Sequence, residues 1–151
     1  MTTYLDKILD AHREAAARDQ RSLDVLVDQA KTVGRPIRSM ADALADPTAL
    51  SVIAEIKKRS PSKGDLNVDL TPSSWANDYA QGGAAAISVL TDQDFFGGSP
   101  QDLVDVRQAV DVPVLRKDFT VSAHDVCDAR LMGADAVLLI VAALDDHELG
   151  E

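Results

Sequence analysis

Residues 51–64 read S-V-I-A-E-I-K-K-R-S-P-S-K-G, an apolar run that gathers charge at its end and then breaks into a Ser/Pro/Gly segment. Val52, Ile53, Ala54 and Ile56 are apolar and partly β-branched, which is the type and length of a buried parallel strand. Alternate strand residues share a face, so Ile53, Glu55 and Lys57 point one way while Val52, Ala54, Ile56 and Lys58 point the other. One face therefore ends in a carboxylate and an ammonium. Ionised groups in a buried strand are costly unless paired. Glu55 and Lys57 are thus either a structural ion pair or the floor of a site at the strand's C-terminal end.

Outward from this strand the pattern is helical before it and alternating after it. From Tyr4 to about Lys31, Leu5, Ile8, Leu9, Ala15 and Ala16, then Leu23, Leu26, Val27 and Ala30, recur every three or four residues. That spacing predicts helix. The polar stretch Arg18 to Ser22 divides it in two, with Ser22 as a cap, and Met40 to Leu44 is a short helix between Gly34, Pro36 and Pro47. After the strand, Thr71-Pro72 opens a helix that Gly82-Gly83 closes, followed by a strand from Ala84 to Leu90. A loop, Thr91 to Gly98, leads to a helix capped by Ser99-Pro100, then to a strand from Val112 to Lys117. Asp118 to Ser122 enters another helix ended by Gly133, Ala134 to Val141 is a fourth strand, and Leu144 to Glu151 begins a further helix. The passages G-G-A-A-A-I-S-V-L and M-G-A-D-A-V-L-L-I resemble each other, as repeated βα units would.

Strands alternating with helices imply an α/β fold with a parallel sheet, either doubly wound and open or a β/α barrel. Charged residues on an inward strand face favour the barrel, whose sites lie at the C-terminal ends of several strands. The expected organisation is a helical extension over residues 1–48 and barrel units over residues 49–151.

The formal charge of -10, from 15 Lys+Arg against 25 Asp+Glu, disfavours nucleic acid and acidic membranes as partners. It leaves room for an anionic small molecule near Lys57, Lys58, Arg59 and Lys63. The single cysteine, Cys127, falls in an expected helix and reads as a small buried residue. There is no membrane-length apolar run and no secretory signal, so a cytoplasmic protein is expected. His12, His124 and His147 share no ligand spacing and are expected at the surface, with no metal site.

The strand from Val112 repeats the pattern of the first: Leu115 and Lys117 share a face, Arg116 takes the other, and Asp118-Phe119 follow. If the two strands are neighbours but one in a barrel, Glu55, Lys57 and Lys117 converge on one opening, where a lysine beside a carboxylate and a second cation suits proton transfer. The alternative is a structural ion pair between strands. Ser60-Pro61-Ser62-Lys63-Gly64 is either an anion-binding loop or a surface loop. Phe95 and Phe96 are a lid or pocket wall, with core as the alternative.

Four blocks, A-E-I-K-K-R-S-P-S-K-G, S-V-L-T-D-Q-D-F-F-G-G-S, P-V-L-R-K-D-F and G-A-D-A-V-L-L-I, closely resemble the indole-3-glycerol phosphate synthase family in order and spacing. The resemblance implies a (β/α)8 TIM barrel with a helical N-terminal extension. It implies a lyase of tryptophan biosynthesis that closes the pyrrole ring of 1-(2-carboxyphenylamino)-1-deoxyribulose 5-phosphate with loss of carbon dioxide and water, without metal or organic cofactor. By the same resemblance Lys117 is the general acid and Glu55 the carboxylate that orients or exchanges protons with the lysines. Lys57 holds anionic groups and assists dehydration, Ser60 contacts substrate, and Phe96 and Phe119 wall the anthranilate ring.

The resemblance further implies that the family's second catalytic carboxylate and its phosphate-binding glycine and serine residues lie outside these 151 residues. The expectation is an N-terminal half of the enzyme, with about four βα units, inactive alone. Exposed edges on its first and fourth strands, and one exposed apolar sheet face, would leave this half self-associating, paired with a complementary half, or poorly ordered. Two other readings stand beside it: a non-catalytic half-barrel that binds a phosphorylated ligand or assembles with a partner half, and a related barrel isomerase of the same pathway, which lacks the paired strand-end lysines.

Overall fold

The computed structural model describes residues 3–46 and 48–150. Pro47 as a punctuating residue, and Glu151 as the end of the last expected helix, lie outside them. Helix α1 (Tyr4–Arg18) starts where the Thr3 hydroxyl accepts from the Asp6 N–H and the Asp6 carboxylate accepts from the Thr3 N–H, a reciprocal cap that satisfies two orphan donors. It buries Ile8 and Leu9. The break at residues 19–22 is real, and the Ser22 hydroxyl accepts from the Val25 N–H to start α2 (Leu23–Thr32). Ser39 caps the short α3 (Met40–Leu44) in the same way.

Strand β1 (Ile53–Ile56) is followed by two-residue strands β2 (Arg59–Ser60) and β3 (Gly64–Asp65), which pair antiparallel with each other. Helix α4 (Pro72–Gln81), β4 (Ala86–Leu90), α5 (Pro100–Ala109), β5 (Val114–Lys117), α6 (Ala123–Met132), β6 (Ala136–Val137) and α7 (Asp146–Gly150) complete the chain. The main sheet is parallel throughout, in the order β1-β4-β5-β6. Each strand lies beside the one before it. A doubly wound sheet reverses its order at a switch point; this one advances in a single direction, as a barrel wall does.

The two faces of the sheet differ as strand alternation requires. Ile56, Ile87, Val89 and Val114 point outward and form the core with Ala76 of α4, Leu103 and Val106 of α5, and Ala129 of α6. Each such large side chain contributes roughly 1.5–3 kcal/mol by leaving water. The other face carries Glu55, Ser88 and Leu115, which lie side by side in the register of β1, β4 and β5. At the end of α6, Gly133 takes the left-handed conformation, φ 96°, that turns the chain back into β6.

Three expectations are corrected. Val52 and Ile53 are 47% and 46% exposed rather than buried, because β1 is an edge strand and Ile53 lies on the face turned away from the helices. The apolar run Ala134–Val141 forms ladder only at Ala136 and Val137, opposite Leu115 and Arg116, and curls into a 3-10 turn at Val141–Ala143. The Ser60–Gly64 segment is a tight hairpin rather than an open loop, with Leu66 and Asn67 N–H groups donating to the Lys58 carbonyl.

Arginines fasten the N-terminal helices to the sheet unit. Arg13 of α1 donates to the Ala143 carbonyl at 2.8 Å and to Glu148 of α7. Arg21 grips Asp128 of α6, and Arg130 of α6 donates to the carbonyls of Val33 and Arg35. No helix among the described residues is long and apolar enough to cross a membrane.

Candidate active site

Parallel register brings the charged ends of β1 and β5 to one opening, separated by β4. Glu55 stands between two lysines: Lys57 donates to Oε1 at 2.6 Å and Lys117 donates to Oε2 at 2.8 Å. Each of the three side chains is about one third exposed, 32%, 32% and 34% for Glu55, Lys57 and Lys117. The group is therefore neither fully buried nor fully exposed. Burial pushes the Glu55 carboxyl up, but hydrogen bonds from Lys117 and Lys57, with their charges, outweigh it and leave its pKa below the ordinary carboxylate value.

The adjacent lysine points away. Lys58, on the outer face, donates to Asp102 at 2.7 Å, in the first turn of α5, so β1 is pinned to a helix on one side and carries the site on the other. Arg59 pairs with Asp65 across the hairpin at 3.3 Å. Of the basic cluster read in the sequence, Lys57, Lys58 and Arg59 thus each have an acidic partner, while Lys63 is exposed at the hairpin turn. Ser60 makes local bonds, accepting from the Lys63 N–H through its hydroxyl and its carbonyl.

The aromatic residues come together above Lys117. Phe96 and Phe119 have ring centroids 6.1 Å apart and line a small cleft with Leu90, Lys117, Leu138 and Ile140. The Phe96 loop is held close to the strand ends by backbone contacts. The Arg59 N–H donates to the Phe96 carbonyl, and the Gly98 N–H donates to the Asp92 carbonyl. A Cβ at Gly98 would lie 2.1 Å from the Leu90 carbonyl oxygen, so this crossing admits only glycine.

Beneath the aromatic pair lies a polar network that sequence reasoning missed. Asp92 accepts from the N–H groups of Phe95 and Phe96 through Oδ1, and its Oδ2 lies 2.9 Å from His12 Nε2. Asp118 accepts from the Phe119 N–H through Oδ1, 3.7 Å from His12, and its Oδ2 accepts from Thr91 and from Arg116. The Arg116 Nε donates to the Thr91 hydroxyl and Nη1 to the Asp125 carbonyl. His12 therefore corrects the expectation of three surface histidines: it is half-buried and packs against Phe119 at 5.4 Å. His12, Asp92 and Asp118 also form a set whose possible ligand atoms lie within 4.8 Å of one another. His124 is half-buried and its Nε2 lies 3.0 Å from the Arg21 carbonyl oxygen, while His147 is exposed. Cys127 is buried, as read.

A parallel sheet that advances in chain order, with a carboxylate and two lysines gathered at the carboxyl ends of alternate strands, defines the class as a β/α-barrel protein, present here through four strands. A profile described as Indole-3-glycerol phosphate synthase matches residues 5–151. The indole-3-glycerol phosphate synthase of Laribacter hongkongensis is 49% identical over the whole chain, which covers 59% of that protein. The same-named protein of Paenarthrobacter aurescens is 49% identical over 99% of the chain and 57% of its own length. That of Nocardioides sp. is 66% identical over 99 residues, 66% of the chain and 38% of the relative. The chain belongs to the indole-3-glycerol phosphate synthase family, a family of TIM barrels, and spans less than two thirds of the length of these relatives.

Proposed function

We propose that this chain supplies the general-acid wall of an indole-3-glycerol phosphate synthase site. The substrate is 1-(2-carboxyphenylamino)-1-deoxyribulose 5-phosphate. The observation that carries the reading is the sharing of one carboxylate, Glu55, by Lys57 and Lys117, next to the Phe96–Phe119 pair. In the first step the ring carbon bearing the carboxylate attacks the ketone carbon. Lys117 gives a proton to the ketone oxygen, which becomes a hydroxyl. Loss of carbon dioxide returns its electron pair to the ring, and loss of the hydroxyl as water completes the pyrrole.

Each residue type suits its part. Lys117 is a cation aimed at a developing alkoxide, and Glu55 keeps it oriented and can return a proton to it. Lys57 holds the substrate's anionic groups and assists dehydration. Phe96 and Phe119 flank the anthranilate ring, and Ser60 contacts substrate from the hairpin. The chain alone is expected to give negligible turnover.

The test joins this chain to the segment of the Laribacter relative that it does not match, and follows indole formation by fluorescence. Activity in the fusion that collapses with Lys117→Met supports the reading. Full activity in the Lys117→Met fusion would remove Lys117 from its role, and near-native turnover by the unfused chain would overturn its expected inactivity.

A further inference from the structure

His12 stands outside the reaction chemistry, yet it touches both aromatic walls of the site through their supports. It comes from α1, on the far side of the chain from the strands it meets. Its Nε2 lies 2.9 Å from Asp92, whose other oxygen holds the amides of Phe95 and Phe96, and 3.7 Å from Asp118, which holds the amide of Phe119 and follows Lys117 directly. Its ring rests on Phe119 at 5.4 Å. Asp92 and Asp118 are both buried. Two buried carboxylates this close repel each other unless a cation lies between them. Arg116 and Thr91 satisfy one oxygen of Asp118. The space facing Asp92 is left to His12.

Resting on the function proposed above, we propose that His12 is a positioning residue of this site: its imidazolium, bridging Asp92 and Asp118, sets the spacing between the Phe96 loop and the Lys117–Phe119 strand end. The groups that face it are Asp92 from the β4–α5 loop, Asp118 from the end of β5, with Arg116 on that carboxylate's other oxygen, and, farther off, Asp125 from the first turn of α6. The hydrogen bond to Asp92 raises the His12 pKa above its ordinary value; burial opposes this and the charges of Asp118, Asp92 and Asp125 add to it. Asp92 is pushed up by burial but held below the ordinary carboxylate value by His12 and by the Phe95 and Phe96 amides. When His12 loses its proton, a neutral ring remains between two carboxylates, and the aromatic pair loses its brace.

Two-dimensional NMR on this chain reads the consequence. Cross-peaks between the Phe96 and Phe119 rings are expected at low pH and are lost as pH rises through the midpoint of the His12 ring, which lies above 6.5. His12→Gln keeps a hydrogen-bonding side chain with no charge to lose, and its Phe96–Phe119 cross-peaks should show no step over the same range. His12→Ala should lack them at every pH; if it unfolds by circular dichroism, His12→Gln carries the test. Cross-peaks independent of pH in the unaltered chain, or the same step in His12→Gln, would overturn the proposal. Titration with 2-aminobenzoate separates it from the functional reading. Saturable shifts at Phe96 and Phe119, about fivefold weaker above the His12 midpoint, support both. No saturable shift at low pH overturns the ring pocket, and leaves the cross-peaks to decide the role of His12.

Discussion

Two carboxylates in this chain are each held by several donors, at opposite ends of the sheet. At the C-terminal ends of the strands Glu55 lies between Lys57 and Lys117, one third exposed. At the N-terminal ends Asp135 has no exposed side-chain surface and accepts from Arg107, from the Val114 N–H that starts β5 and from the Arg38 N–H that follows α2. Arg107 extends the unit to the carbonyls of Gly133 and Pro36. The difference is one of chemistry as much as burial. Arginine offers a rigid fork that stays charged and fills several acceptors; lysine offers one mobile ammonium that can give up its proton. In barrels, the bottom of the sheet holds the fold and the top performs the reaction; here a carboxylate at the bottom takes one arginine and two backbone N–H groups, and one at the top takes two lysines.

The sharpest test of that contrast is Lys117→Met in the fusion described above. Turnover should fall by about 10²–10⁴-fold, with the urea unfolding midpoint of the chain nearly unchanged. The bottom pair should behave the other way. Asp135→Ala strands a buried guanidinium, and urea unfolding should show a loss of about 3–5 kcal/mol. Next in size is Arg107→Lys, which keeps the charge but not the fork; a loss of about 1.5–3 kcal/mol in the same measurement is expected, and none would mean that charge alone serves there.

Acid should reach the top pair. Glu55 has a folded pKa below its unfolded value, so its stabilisation is present above the ordinary value of 4.5 and is lost as pH falls through the lowered one. The stability gap between the chain and Glu55→Gln should close in that acid window. His12 is raised, so its contribution is complete below 6.5 and is lost as pH climbs through the folded value. The gap to His12→Gln should close on the alkaline side. The smallest change is expected from Asp128→Asn, which removes a half-buried partner of the exposed Arg21; its effect should weaken in high salt.

What the sequence made legible follows the range of the interaction. Helix starts at Ser22, Ser99 and Ser122 and the stop at Gly133 are local chemistry, written within four residues of where they act. The face shared by Glu55 and Lys57 followed from strand alternation, and the meeting with Lys117 from the strand order and the family motifs. The length of β6 was not legible, because a continuous apolar run does not say how many of its residues find a ladder partner. Nor was His12, whose carboxylates lie on other elements; Asp92 and Asp118 stood in the quoted motifs without a role. Asp135 drew no reading of its own, since its partner Arg107 is a helix residue with no periodic signal.

The polar ties of the N-terminal helix reach residues made long after it. His12, Arg13 and Arg21 reach partners 80, 130 and 107 positions further along the chain. During synthesis α1 leaves the ribosome well before these partners, with its own cap for support, and a lone helix of that length is marginal in water. Its seat exists only once β5, α6 and the turn at Ala143 have emerged. A helix translated before all three of these partners thus docks after them, and the two phenylalanine loops receive their histidine brace late in folding rather than at its start.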